Sequence, residues 1–283
     1  MVGNSLIADI AAARAALAPA LAQRGGLCVL TGAGMSAPGR PKANAGALRR
    51  EGTPVSAESG IPTFRDALTG YWSRFDPMDL ASEEGFRANP QRVWRWYAER
   101  RDGVRAAAPN AGHIALAEFW RRHPGVMTLV TQNVDNLHQR AGNSDTIRLH
   151  GDILHDQWLG ACARHARGGN ICDPEWAQIG EPPSCAECGN LLRPGVVWFG
   201  ENLPLAALNA AEQAASNCAV LLVVGTSGAV WPAAGLAGRA RRHGAQVLIV
   251  NPAESKIDAE AHLVLRGLAA VVLPVLLSPL TTA

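Results

Sequence analysis

Leu27-Cys28-Val29-Leu30-Thr31-Gly32-Ala33-Gly34 decides the fold. Its apolar residues do not alternate with polar ones, and the run closes on a glycine turn, which predicts a short strand buried on both faces. The same form recurs along the chain. Residues 126–130 lead into Thr131-Gln132-Asn133-Val134-Asp135, and 146–149 lead into His150-Gly151. Residues 220–224 lead into Gly225-Thr226-Ser227, and 246–250 into Asn251-Pro252-Ala253. Helical spacing fills the intervals. Over 5–24 the residues Leu6, Ile10, Ala13, Leu17 and Leu21 share a face, with Pro19 as a potential kink and Gly25-Gly26 as the stop. Residues 204–217 and 231–243 are also helical. Unalternating strands separated by helices predict an α/β fold, a parallel sheet covered on both faces. Ligands of open sheets bind outside the carboxyl ends of the strands, so the polar strand endings should gather along one crevice.

Three stretches break this rhythm. Residues 66–122 read as helical, rich in Trp and Arg, with no clear strand. Residues 158–194 combine cysteines with Gly and Pro, as in a small metal module. Residues 38–57 are polar, basic and rich in breakers, a flexible surface insertion. The expected division is a sheet domain of 1–65, 123–157 and 195–283, a helical module of 66–122 and a metal module of 158–194.

Composition excludes several classes. With 26 Lys+Arg against 24 Asp+Glu, the net charge of +2 gives no footprint for nucleic acid, and the only lysines are Lys42 and Lys256. The apolar run 268–277 is interrupted by Pro274 and falls short of the ~20 residues of a membrane span. No basic cluster precedes an apolar stretch at the N-terminus, so no signal peptide is expected. Six cysteines, clustered in sequence, do not make a secreted disulfide scaffold. Cys28 and Cys218 lie in apolar runs as core thiols, and a reducing, cytoplasmic setting follows.

Gly32-Ala33-Gly34-Met35-Ser36-Ala37 fits a glycine-rich phosphate fingerprint, in which small residues permit a tight turn and amides at the following helix start attract pyrophosphate. Alone it is equally a turn without a ligand. A second strand ending in an acid about 20 residues later is missing, which counts against a hydride-transfer dehydrogenase.

The full set of motifs is more specific. Ser59-Gly60-Ile61-Pro62-Thr63-Phe64-Arg65-Asp66, Pro109-Asn110-Ala111-Gly112-His113, Thr131 to Asp135, Leu149-His150-Gly151, Val197-Trp198-Phe199-Gly200-Glu201, Gly225-Thr226-Ser227 and Asn251-Pro252-Ala253 occur in one order. This set resembles the sirtuins, NAD-dependent protein-lysine deacylases, over essentially the whole chain. The resemblance implies a Rossmann-type NAD domain, a smaller inserted helical and zinc-binding region, and an acyl-lysine tunnel between them. It implies that His150 is the base activating a ribose hydroxyl, with Asn133 beside it in catalysis. Gln132, Asn133, Val134 and Asp135 would hold the ribose and carboxamide of NAD. Gly32, Ala33, Gly34, Ile61, Phe64 and Arg65 would line the cofactor, Phe64 shielding the reactive ribose and Arg65 helping to place the phosphates. Gly225, Thr226, Ser227, Asn251, Pro252, Ala253 and Ala269 would take the adenosine side, and Val197, Phe199 and Gly200 the acyl-lysine substrate.

Tyr97 and Arg100 are three apart and share a helical face. They match the Tyr-x-x-Arg pair with which one sirtuin branch recognises succinyl and malonyl lysine: Arg grips a carboxylate in two hydrogen bonds and Tyr adds one. The alternative is a packed Tyr and a solvated Arg on an Arg-rich helix. Arg101 is expected to point off that face.

The resemblance also implies a structural zinc bound by four thiolates. Cys185-Ala186-Glu187-Cys188-Gly189 is a good half-site. Trp158 and Ala161 stand where the family places the other pair, while Cys162 and Cys172 lie nearby but further apart. Two outcomes stay open, a site of Cys162, Cys172, Cys185 and Cys188, or a lost metal. Residues 38–57 separate Ala37 from Glu58, which the family joins almost directly, and either loop out harmlessly or impair NAD binding. Mono-ADP-ribosyl transfer from the same NAD site and a non-catalytic binding protein are the competing functions.

Overall fold

A computed structural model describes residues 4–23, 25–36, 73–161, 177–178 and 180–279. The 38–57 insertion, Ile61, Phe64, Arg65, Cys162 and Cys172 lie outside the described residues. Chain order runs through α1 (Asn4–Leu21), β1 (Leu27–Thr31), α2 (Pro77–Leu80), α3 (Glu83–Ala88), α4 (Pro90–Ala106), α5 (Ala111–Arg122), β2 (Met127–Thr131), α6 (Leu137–Ala141), β3 (Ile147–Arg148) and β4 (Gly151–Trp158). It continues through β5 (Ala177–Gln178), β6 (Ser184–Cys185), β7 (Leu192–Val196), α7 (Leu205–Asn217), β8 (Val220–Val224), α8 (Gly235–Arg242), β9 (Gln246–Val250), β10 (Leu263–Leu265) and α9 (Ala269–Leu276).

Six strands pair in the order β10-β9-β8-β1-β2-β3, every pairing parallel. β1 and β8 are buried along their whole length, as their unbroken apolar runs require. Their side chains alternate between two cores. Leu27, Val29, Leu222 and Val224 pack with α1, α5 and α9 on one face. Leu30, Leu221 and Val223 pack with α7 and α8 on the other, together with the core thiol Cys28. Pro19 does not split α1, which runs through it and ends at Leu21. β10 was not legible, because Leu263-Val264-Leu265 is only three residues long.

A smaller lobe is built on α2–α4 and a two-stranded antiparallel sheet of β4 and β7. Asn89 caps α4 by accepting from Arg92 N (3.0 Å), and Pro90 supplies the first helical residue. Val93, Trp96, Tyr97 and Val104 then form the buried face, packed on Leu80, Phe86, Ile153, Val196 and Trp198. Two of the expected boundaries shift. α5 lies within 66–122, yet Ala115, Leu116 and Phe119 belong to the core of the large sheet. Residues 151–157 and 195–196 were grouped with the large sheet, yet they form the strands on which the helices of the small lobe pack.

Arg101 does not point off the buried face. It is 8% exposed and donates to Ile153 O (2.6 Å) and to the Asp156 carboxylate, fastening α4 to β4. The carbonyls of a bulged strand attract the guanidinium, since the ladder shifts register between Asp152 and Asp156. Arg101→Met should therefore destabilise the protein by about 2–3 kcal/mol, below the cost of breaking a fully buried pair because Asp156 keeps some solvent. Thermal unfolding reads this as a lower Tm, and an unchanged Tm would refute the brace.

Candidate active site

The glycine turn after β1 meets the loop after β8. Gly32 N donates to Val224 O (2.9 Å) and Gly34 N to Gly225 O (2.7 Å). A Cβ on Gly34 would lie 2.8 Å from Gly225 Cα, and one on Gly32 2.8 Å from Thr226 Cβ. Gly225 has φ +62° and its own Cβ would sit 2.3 Å from Met35 N. These glycines are thus required by loop-on-loop packing. The amides of Gly32, Gly34, Met35 and Ser36 all donate within the protein, while the Ala33 amide takes no part in these bonds.

The endings of β1 and β2 share a buried polar network. Thr31 Oγ1 donates to Thr131 Oγ1 (2.8 Å), which also accepts from Asn133 N (3.0 Å). Asn133 Nδ2 donates to Ser36 Oγ (3.3 Å). Asn110 N donates to His113 Nδ1 (3.3 Å), so the His113 proton sits on Nε2 and is given to Ser36 Oγ (3.3 Å). Ser36 in turn bonds the Asp135 carboxyl, as does Leu137 N (3.0 Å). Burial pushes the Asp135 carboxyl above its ordinary range, opposed by those two bonds and by Arg148. Beyond β8 and β9, Gln132 Nε2 donates to Thr226 Oγ1 (3.2 Å) and Asn251 Nδ2 to Thr226 O (3.2 Å). The expected residues of four strand endings, those of β1, β2, β8 and β9, therefore do converge. Ala269, the first residue of α9, is buried beside Gly112, and α9 packs against the turn of Ala33–Met35.

His150 follows β3, and its Nδ1 lies 2.9 Å from Gln132 O. A carbonyl only accepts, so Nδ1 carries the proton and Nε2 keeps its lone pair. Burial holds the imidazole below its usual pKa, partly offset by the Gln132 carbonyl. The ring is a neutral base near pH 7. Its turn is braced by Arg148, which pairs with Asp152 across His150-Gly151 and donates to Asp135 O (2.8 Å) and Gln139 Oε1 (3.0 Å). Neither Arg148 nor Asp152 was legible as part of a site, because nothing in their spacing distinguishes them from surface charges. His113 closes the Pro109-Asn110-Ala111-Gly112-His113 motif, whose pattern alone gives it no role.

Opposite this face lies Val197 to Gly200. Val197 N donates to His150 O (2.9 Å) and Phe199 N to Ala81 O (2.9 Å), so this segment links the imidazole turn to the small lobe. Phe199 is 47% exposed, and Gly200 has φ +84°. Tyr97 is buried and accepts from Trp198 Nε1 (3.0 Å). The Arg100 guanidinium lies over Trp96 (4.8 Å) and interacts electrostatically with both Tyr97 and Asp135. Burial lowers its pKa, and those two groups oppose the shift.

The Sir2 family model matches residues 52–232, most of the chain, including Tyr97, Arg100, Gln132 to Asp135, His150 and Val197 to Gly200. The chain belongs to the Sir2 family. Among its Sir2 relatives is an NAD-dependent protein deacylase of Ralstonia nicotianae, 53% identical over 227 residues, covering 80% of this chain and 89% of that one. Another, from Methylococcus capsulatus, is 52% identical over 230 residues, with 81% and 90% covered. Among solved structures, a Sir2 homologue in complex with NAD aligns at TM-score 0.72 and 37% identity over 91% of this chain and 90% of that one. A Sir2 bound to an acetylated peptide aligns at TM-score 0.67 and 30% identity, covering 88% and 91%.

The cysteine turn of this Sir2 chain is compact. Cys185 N donates to Asn190 O (2.7 Å) and Gly189 N to Cys185 O (2.9 Å), with Gly189 at φ +68°. Cys185 is buried against Trp158 and Leu192, with Trp94 packed on them, while Cys188 is exposed. Asn190 joins this turn to the end of β4 through two bonds to Gly160 (3.0 and 2.7 Å). The indole of Trp158 thus fills an apolar cluster beside Cys185. A tight turn presenting two thiols three residues apart is half of a tetrahedral thiolate site; among the described residues no full set of metal-ligating groups is brought together.

Proposed function

We propose that this Sir2-family protein is an NAD-dependent protein-lysine deacylase, moving the acyl group of a modified lysine to ADP-ribose with release of nicotinamide. One observation carries the reading furthest: His150 is locked by Gln132 O in the tautomer whose Nε2 accepts a proton, at the end of a crevice shared by Gln132, Asn133 and Asp135. His150 takes the proton of a ribose hydroxyl. Asn133, fixed through Ser36 and Thr131, and Asp135, fixed through Ser36 and Leu137, hold NAD in an attack geometry. Gly225, Thr226, Ser227 and Asn251 flank the adenosine, and Val197, Phe199 and Gly200 carry the acyl-lysine segment. Tyr97 and Arg100 select succinyl and malonyl groups over acetyl. The domain that binds NAD is the large sheet.

No helix of the described residues is long and apolar enough to cross a membrane. Cytoplasmic placement belongs to this reading, supported by Cys28 and Cys218 standing as buried, unbridged thiols.

The test is an assay with NAD on acetyl, succinyl and malonyl peptides, run with and without residues 38–57. Free deacylated peptide together with acyl-ADP-ribose supports deacylation. ADP-ribosylated peptide would assign the transferase chemistry instead, and no NAD binding by calorimetry would leave a non-catalytic protein.

Zinc would be held by Cys185 and Cys188 with Cys162 and Cys172, as a structural ion supporting the fold of the small module. Metal analysis should find about one zinc per chain in protein made under zinc-replete conditions, and Cys185→Ser should lower both metal content and Tm. A metal-free chain whose Tm ignores chelators would assign the module to the cluster of Trp158, Trp94 and Leu192.

A further inference from the structure

Trp198 lies between two candidate substrate residues, Val197 and Phe199, but its side chain turns away from them. It is 2% exposed, and its ring packs on Phe86 (centroids 5.2 Å) under the Arg193 guanidinium (4.1 Å). Arg193 is itself fixed, donating to Val196 O (3.1 Å) and Glu201 Oε1 (2.7 Å). The other carboxylate oxygen of Glu201 accepts from Trp198 N (2.8 Å). Backbone and ring of Trp198 are thus held at both ends. The one polar atom of the indole, Nε1, donates to the phenolic Oη of Tyr97 (3.0 Å).

The direction of that bond matters. An indole nitrogen has a hydrogen and no lone pair to accept with, so Tyr97 is the acceptor. Burial pushes the Tyr97 phenol up to about 12, so it keeps its proton at neutral pH. That proton has no acceptor among the described residues. A buried hydroxyl whose lone pair is occupied and whose hydrogen is unspent is a donor awaiting an anion.

We propose that Trp198 is a positioning residue for acyl selectivity: by occupying the acceptor side of Tyr97 it turns the phenol hydrogen toward an acyl carboxylate beside Arg100. This rests on the reading of Tyr97 and Arg100 as the succinyl- and malonyl-binding pair. Acetyl has no carboxylate to receive the bond. Removing the indole N–H lets the phenol rotate, so succinyl substrates lose an oriented donor while acetyl substrates lose nothing specific.

The test is a cycle of Trp198→Phe, Tyr97→Phe and the double variant, scored as the ratio of succinyl to acetyl kcat/KM, with KM and kcat reported separately. Trp198→Phe keeps a ring under Arg193. It should lower the ratio about 3- to 10-fold, the worth of one neutral hydrogen bond, chiefly through KM of the succinyl peptide. In the Tyr97→Phe background it should change the ratio no further. Equal losses on both peptides, or a Trp198 effect that persists without the phenol, would overturn the proposal. A Tyr97→Phe ratio equal to wild type would instead sink the underlying selectivity reading and the proposal with it. If Trp198→Phe does not fold, the indole ¹⁵N–¹H resonance of Trp198 in the wild-type protein decides. Succinyl peptide should shift it and acetyl peptide should not, and the same response to both overturns the assignment.

Discussion

His150→Ala should lower kcat by about 10²- to 10⁴-fold, the usual worth of a positioned general base, and leave the unfolding midpoint and most NAD affinity in place. Among the described residues the imidazole makes one hydrogen bond, to Gln132 O, and it is only half-buried, so its loss removes little packing. Its pH signature is equally specific. Burial lowers the pKa from its ordinary 6.5. The neutral, active form therefore persists as pH falls below 6.5 and is lost only at the depressed pKa, so the acid limb of kcat should lie below 6.5 and disappear in the variant. His243 is exposed on the far end of α8, bonded to Arg239 O (2.9 Å), and its replacement by Ala should not alter the profile. An acid limb above 7, or turnover near wild type in His150→Ala, would remove this histidine from the chemistry.

The parts of this molecule that could be read from its sequence are those with a strong local code. The strands β1, β2, β8 and β9 are apolar without alternation because helices cover both faces, and that pattern is unmistakable in five residues. β4 was missed for the opposite reason. Gly-Asp-Ile-Leu-His-Asp-Gln-Trp has few apolar residues, and a register shift between Asp152 and Asp156 breaks the period of two. The crevice residues Gln132, Asn133, Asp135 and His150 were legible as polar strand endings. What holds them was not, because Ser36, His113 and Arg148 act through contacts at a sequence distance, such as Asn133 to Ser36 across 97 residues. Arg101 shows the limit most clearly. Helical spacing gave it the wrong environment, since a neighbouring strand whose carbonyls attract a guanidinium cannot be inferred from one helix.

The same correction changes how acyl selectivity is to be tested. Arg100→Met should reduce desuccinylation about 10- to 150-fold, the loss of a hydrogen bond to a charged group worth roughly 1.5–3 kcal/mol. Arg100 sits in a poorly solvated place: burial depresses its pKa, and its guanidinium stacks on Trp96 (4.8 Å). A cation held there gains more from a carboxylate than one in water does, so succinyl and malonyl groups profit and acetyl cannot. Acetyl substrates carry a smaller, separate effect. Asp135 favours the charged form of Arg100, and because that attraction acts on both groups, removing Arg100 should raise KM for NAD with every acyl group to the same degree. The succinyl-specific loss therefore appears in KM for the peptide, and the shared loss in KM for NAD. Arg101→Met cannot serve as the control, because it disturbs the bond to β4. Arg95 on the exposed side of α4 can: its one salt bridge among the described residues is to Glu181 at the surface (3.2 Å), an interaction worth at most about 1 kcal/mol. Arg95→Met should leave both activities unchanged. Equal losses on acetyl and succinyl peptides in Arg100→Met would place this guanidinium in the support of the fold and make the protein a general deacylase with no preference for acidic acyl groups.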